Sequence, residues 1–141
     1  HSPLVGVKST SRAENVVALH EARRRGADEA VLTNTGGALC EGSASNVFVV
    51  VGGRLCTPSL AAGCLAGVTR GLVMEVVEVD ERDDLSLDDL WSAPEAFLTS
   101  TPRDVHPIAT VDGSPLAAAP GPLTAAAAAA FAALVERGLA P

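Results

Sequence analysis

The stretch Cys40-Glu41-Gly42-Ser43-Ala44-Ser45-Asn46-Val47-Phe48 limits most tightly what this chain can become. An acid and several small polar residues lead straight into the apolar run Val47-Phe48-Val49-Val50-Val51. A carboxylate at the edge of a core is costly to ionise unless a cation meets it, so a basic group is expected to face Glu41. With 141 residues and 48% hydrophobic content, the chain is long enough for one domain with a real core and too short for two ordinary ones. Aromatics make up only 3% and tyrosine is absent, so that core must be built from Val, Leu and Ala.

The net charge of −7 argues against nucleic acid or an anionic membrane as partner, because phosphate surfaces demand a basic face. A small-molecule ligand is expected instead. Cys40, Cys56 and Cys64 are odd in number and form no C-x-x-C pair, which fits reduced, buried thiols in a cytoplasmic protein better than disulfides or a zinc site. No window reads as a bilayer span, and nothing near the start reads as a signal peptide. The first residue is His1, which leads to the expectation of a processed product or of a fragment whose earlier half is missing.

In chain order, Leu4-Val5-Gly6-Val7 reads as a short strand ending at Lys8, and Ser9-Thr10-Ser11 as the cap of a helix running from Arg12 to Arg25 and stopped by Gly26. Lys8 thus sits at a strand-to-helix junction, where side chains commonly face a cleft. Asp28 to Thr33 and Ala38 to Glu41 form a hairpin around Asn34-Thr35-Gly36-Gly37; Ser45 to Val51 and Arg54 to Pro58 form a second around Gly52-Gly53. Two hairpins in succession predict a mostly antiparallel, partly closed sheet with flanking helices. Gly67-Val68-Thr69-Arg70 opens an apolar helix, and on these residues alone it is either an ordinary start capped by Thr69 or a cradle for an anion. The carboxylates Asp83, Asp84, Asp88 and Asp89 lack a calcium-loop spacing and fit a helix N-terminus near Ser86. Ala96 to Thr101 reads as a strand ending in hydroxyls, Asp112-Gly113 as a turn, and Thr124 as the cap of a final alanine-rich helix.

Three stations of this chain, Gly6-Val7-Lys8-Ser9-Thr10-Ser11-Arg12, Glu41-Gly42-Ser43-Ala44-Ser45-Asn46-Val47-Phe48 and Gly67-Val68-Thr69-Arg70, come in an order that resembles the large domain of the class IV (fold type IV) pyridoxal-phosphate enzymes. The resemblance runs from Gly6 to about Gly113 and takes in branched-chain and D-amino-acid aminotransferases and aminodeoxychorismate lyases. It implies an α/β (α+β) cofactor-binding domain over residues 1–141, without the family's smaller N-terminal domain, and a homodimer. It implies that Lys8 is the Schiff-base lysine and the general base at the substrate's Cα. Glu41 would bind the protonated ring nitrogen, Leu65 would pack on a ring face, and Val68, Thr69 and Thr101 would anchor the phosphate. Asn46 is expected to stabilise the backbone locally rather than touch substrate, and His106 to be structural.

Pro102 and Arg103 replace the small residues that many aminotransferase relatives carry after that threonine, which opens direct binding of a substrate carboxylate by Arg103. The lysine followed by Arg12, in a chain without tyrosine, leans toward 4-amino-4-deoxychorismate lyase, which releases pyruvate and forms 4-aminobenzoate. The alternatives are a branched-chain or D-amino-acid transaminase and a truncated, non-catalytic binding or assembly domain.

Overall fold

The computed structural model describes residues 13–139. Lys8 and the strand expected before it lie outside the described residues. Helix α1 (Ala13–Arg24) is followed by the hairpin β1 (Val31–Thr33) and β2 (Leu39–Gly42), then by β3 (Asn46–Val51) and β4 (Arg54–Pro58). A 3-10 turn at Leu60–Ala62 leads to α2 (Val68–Val76), β5 (Asp80–Arg82), α3 (Leu87–Ser92), β6 (Ala96–Ser100) and β7 (Asp104–Pro107). The short pair β8 (Thr110–Val111) and β9 (Ser114–Pro115) precedes α4 (Pro122–Leu139).

The main sheet has the order β5-β4-β3-β6-β7. All its pairs are antiparallel except β4 with β5. That parallel pair is not foreseen by a reading in hairpins alone. It exists because α2 carries the chain back over the sheet between the two strands, the crossover that parallel neighbours require. The first strand is also shorter than expected: Asp28, Glu29 and Ala30 stay outside the ladder, and the Ala30 carbonyl instead accepts from the Ser43 amide at 2.8 Å.

Strand β3 is buried on both faces, which is why its sequence is continuously apolar rather than alternating. Val47 and Val49 enter one core with Leu39, Leu85, Leu90, Ala96 and Leu98. Phe48 and Val50 enter the other with Phe97, Val73 of α2, and Ala127 and Phe131 of α4. Phe48 and Phe97 face each other across β3 and β6 and stack with centroids 4.7 Å apart, a pair that adds about 0.5–1.5 kcal/mol beyond its buried area. Cys56 and Cys64 are buried as expected, whereas Cys40 is only half-buried.

The helix ends follow the sequence in part. Gly26 adopts a φ of +82°, which suits a glycine just past the end of α1. Ser86 and Asp89 form a reciprocal capping box at α3. Helix α4 is capped differently from expectation. Thr124 lies inside the helix, and Glu95, from the turn before β6, accepts from the amides of Leu123 at 3.1 Å and Thr124 at 2.8 Å. Glu95 is 5% exposed, so it satisfies two orphan amides of the helix start from a buried position. Replacing Glu95 by Ala is expected to lower the unfolding free energy by about 2 kcal/mol, read from urea denaturation. An unchanged midpoint would show that α4 does not depend on this contact.

Candidate functional site

Two short segments, one preceding β3 and one preceding α2, meet around Leu65. The Leu65 amide donates to Glu41 Oε2 at 2.9 Å, and the Leu65 carbonyl accepts from Asn46 Nδ2 at 2.8 Å. Glu41 at the end of β2 and Asn46 at the start of β3 therefore hold both polar ends of one residue. Contrary to expectation, Asn46 does not act locally but holds the backbone of a segment 19 positions away. Gly67 completes the fit: a Cβ there would overlap Asn46 Oδ1. Its φ of −66° and ψ of 139° are open to any residue, so the glycine is required by the close approach and not by its backbone conformation.

Gly67 is the N-cap of α2, and no side chain among the described residues caps that end. Thr69, expected as a possible cap, lies within the first turn, 6% exposed. Among the described residues the opening amides of α2 therefore have no side-chain acceptor, at the end of the helix where the dipole favours negative charge.

These groups line one cleft of about 320 Å³, a size at the lower end for a small-molecule site. Its walls are Glu41, Ala44, Ser45 and Asn46 on one side, Leu65, Gly67, Val68 and Thr69 on another, and Thr99, Ser100, Thr101 and Pro102 on the third. Five residues singled out from the sequence, Glu41, Leu65, Val68, Thr69 and Thr101, are brought together here. Lys8, the basic group expected at Glu41, lies outside the described residues. Arg103 does not line the cleft; its guanidinium pairs with Glu29.

The buried hydroxyls of Thr99 and Ser100 have no hydrogen-bond partner among the described residues. No backbone group among the described residues takes them. Pro102 has no amide hydrogen to offer at this rim. This segment brings Thr101, with its hydroxyl, to the cleft, while α2 brings its opening amides. Opposite charge sits at the other wall, where Glu41 is half-buried. The arrangement suits a flat ligand with an anionic group at one end and a protonated ring atom at the other.

The electrostatics of the surrounding side chains fit this division. Burial, aided by the Glu41 charge, pushes the Cys40 thiol up to about 12, so it stays protonated and unreactive beside the acid. Burial pulls Glu29 upward, but hydrogen bonds from Ser43 and Arg103 outweigh it and hold the carboxyl below its ordinary range. His106 is exposed on β7 opposite Leu98, away from the residues that line the cleft. Among the described residues no group of three or more His, Cys, Asp or Glu is placed to hold a metal, and no helix is long and apolar enough to cross a membrane.

In sequence and in fold the chain is similar to known proteins. A family model described as amino-transferase class IV matches residues 1–111. The branched-chain-amino-acid aminotransferase of Pseudomonas aeruginosa is 37% identical over 117 residues, covering 78% of this chain and 37% of that protein. The crystal structure of a branched-chain amino acid aminotransferase from Thermobaculum terrenum in its PLP form superposes with a TM-score of 0.86 at 32% identity, over 93% of this chain and 45% of that one. A Legionella pneumophila protein provisionally named 4-amino-4-deoxychorismate lyase superposes with a TM-score of 0.84 over 96% of this chain and 50% of that one, and its 24% identity speaks for the fold alone. The chain spans less than half the length of the curated relatives it matches.

The contact between Gly67 and Asn46 can be tested by a double-mutant cycle. Gly67→Ala alone should destabilise the fold by about 1–3 kcal/mol, the usual cost of overpacking. In an Asn46→Ala background, where the clashing oxygen is gone, most of that cost should vanish in denaturant melts. Equal costs in both backgrounds would place the two residues out of contact.

Proposed function

The chain belongs to the class IV aminotransferase family, and from that premise we propose that it is the cofactor-binding part of a pyridoxal-phosphate transaminase acting on branched-chain amino acids. The observation that carries this reading is the cleft itself. Residues drawn from Glu41 to Thr101 converge on one hollow with an acid at one wall and, at another, a helix start that no side chain among the described residues caps.

The residues present fit the cofactor. The α2 amides at Val68 and Thr69 would hold its phosphate with the Thr101 hydroxyl, and the neighbouring Thr99 and Ser100 each carry a buried hydroxyl without a partner among the described residues. Leu65 would pack against a face of the ring. Glu41 would meet the ring nitrogen and keep it protonated, since a nearby carboxylate favours the charged form of a base. When bound, the cofactor supplies an electron sink for charge developing at the substrate's Cα. Lys8 would provide the amine that attaches the cofactor and then take the Cα proton as general base.

Transamination is preferred over the lyase reaction that Lys8, Arg12 and the missing tyrosine suggested. The Pseudomonas aeruginosa and Thermobaculum terrenum proteins, at 37% and 32% identity, are both named branched-chain aminotransferases. The likeness to the lyase-named protein is 24% identical and carries no activity. A homodimer in the cytoplasm, binding a small amino-group substrate, completes the proposal by the same resemblance.

Titration of the protein with pyridoxal phosphate should produce an absorption band at the violet edge of the visible, lost on borohydride treatment with the label fixed on Lys8. With its remaining domain present, the protein should convert L-leucine or L-valine with a 2-oxo acid acceptor into the matching oxo acid. Pyruvate release from aminodeoxychorismate without amino transfer would establish the lyase instead. A colourless titration would refute the cofactor assignment and favour a non-catalytic domain.

A further inference from the structure

A second cluster lies beside the cleft, built around Glu29. Its side chain is only 9% exposed, and Arg103, 74 positions along the chain, places Nη2 on its Oε2. Ser43 Oγ donates to the other carboxylate oxygen, and Ser45 Oγ reaches Oε2 at 3.3 Å. One carboxylate therefore gathers donors from two loops that are distant in sequence. Both loops are rims of the cleft: Ser45 lines it on one side, and Thr101 and Pro102, which run directly into Arg103, line it on the other.

The local packing favours this arrangement. Gly42 leaves room for the Ser45 hydroxyl, since a Cβ there would overlap that oxygen. The Ser43 carbonyl accepts from Asn15 Nδ2 at 2.8 Å, which ties the same loop to α1. Arg103 is 29% exposed, so this is not an ion pair loose in solvent. Removing one partner of a largely buried pair leaves the other charge uncompensated, which makes such a contact expensive to break.

We propose that Glu29 is a positioning residue, which clasps the Thr101–Pro102 rim to the Ser43–Ser45 rim through Arg103 and so sets the width of the cleft where an anionic group enters. Neither Glu29 nor Arg103 has to touch the ligand. With its guanidinium committed to Glu29, Arg103 acts on the site through the loop that carries it and not as a receptor for a substrate carboxylate. The consequence for cofactor binding rests on the function proposed above; the clasp itself does not.

The test starts with hydrogen exchange on the ligand-free protein. The Ser43 amide bonds to Ala30 O at 2.8 Å and the Arg103 amide to Ser100 O at 3.2 Å, so each rim has protection to lose. Glu29→Gln and Arg103→Met should each raise exchange at both rims by about tenfold, the worth of a charge-assisted hydrogen bond, while β3 stays unchanged. Arg103→Lys, which keeps the charge, should recover much of the protection. Unchanged exchange at either rim, or a rise spread evenly over the sheet, overturns the clasp.

Titrations with pyridoxal phosphate and with phosphate-free pyridoxal then separate the two claims. Arg103→Met should weaken the phosphate ester about tenfold and leave pyridoxal as it was. Equal affinities of wild type and variant for the ester overturn the link to cleft width. Rims that respond in exchange, in a protein whose wild type binds no pyridoxal phosphate, uphold the clasp and refute the proposed function.

Discussion

Leu65 is fastened at both ends of its polar backbone, by Glu41 at the amide and by Asn46 at the carbonyl, and the geometry of the cleft follows from that. The two side chains grip one residue at the mouth of the hydrophobic core, so neither can shift without the other. Gly67 lies against Asn46 and begins α2, so the same pair fixes where the helix amides point. Glu41, proposed to meet one ligand atom, and the helix start proposed to face another are thus tied through a single residue. Along this short path two walls of the cleft are hydrogen-bonded to each other directly.

The rest of the fold serves as a mount for that junction. Strand β3 is buried on both faces and is the middle strand of the main sheet, so Asn46 at its start continues the most deeply enclosed strand of that sheet. Helix α2 is anchored as well. Arg70, 5% exposed, reaches from its first turn to the Pro58 carbonyl at 3.0 Å and to Glu81 of β5 at 2.7 Å. The parallel pairing of β4 with β5 makes those two acceptors neighbours. Helix α4, started by the buried Glu95, closes the second core from behind with Ala127 and Phe131.

Features that depend on local order were legible in the sequence. The hairpin turns, the Ser86 cap, the glycine stop after α1 and the run of β3 all arise from residues that are close in the chain, where spacing alone carries the information. The cleft residues were legible for another reason: the strings around Glu41 and Thr69 resemble a known pattern, although nothing in their spacing says that they meet. What could not be read is contact between distant segments. Glu29 looked like part of a strand, and only the fold shows its carboxylate turned to Arg103 and the serines. The cap of α4 was assigned to Thr124 because caps are usually local, whereas here a buried acid from another turn supplies it. The parallel β5 was missed because a crossover through a helix leaves no turn motif between its strands.

The most direct measurement of the central claim is a crystal structure of this protein with pyridoxal phosphate bound. The account predicts the phosphate against the Val68 and Thr69 amides, the ring over Leu65, and the ring nitrogen within hydrogen-bond distance of a Glu41 still bonded to the Leu65 amide. A ligand seated elsewhere, or a ring nitrogen turned away from Glu41, would contradict it.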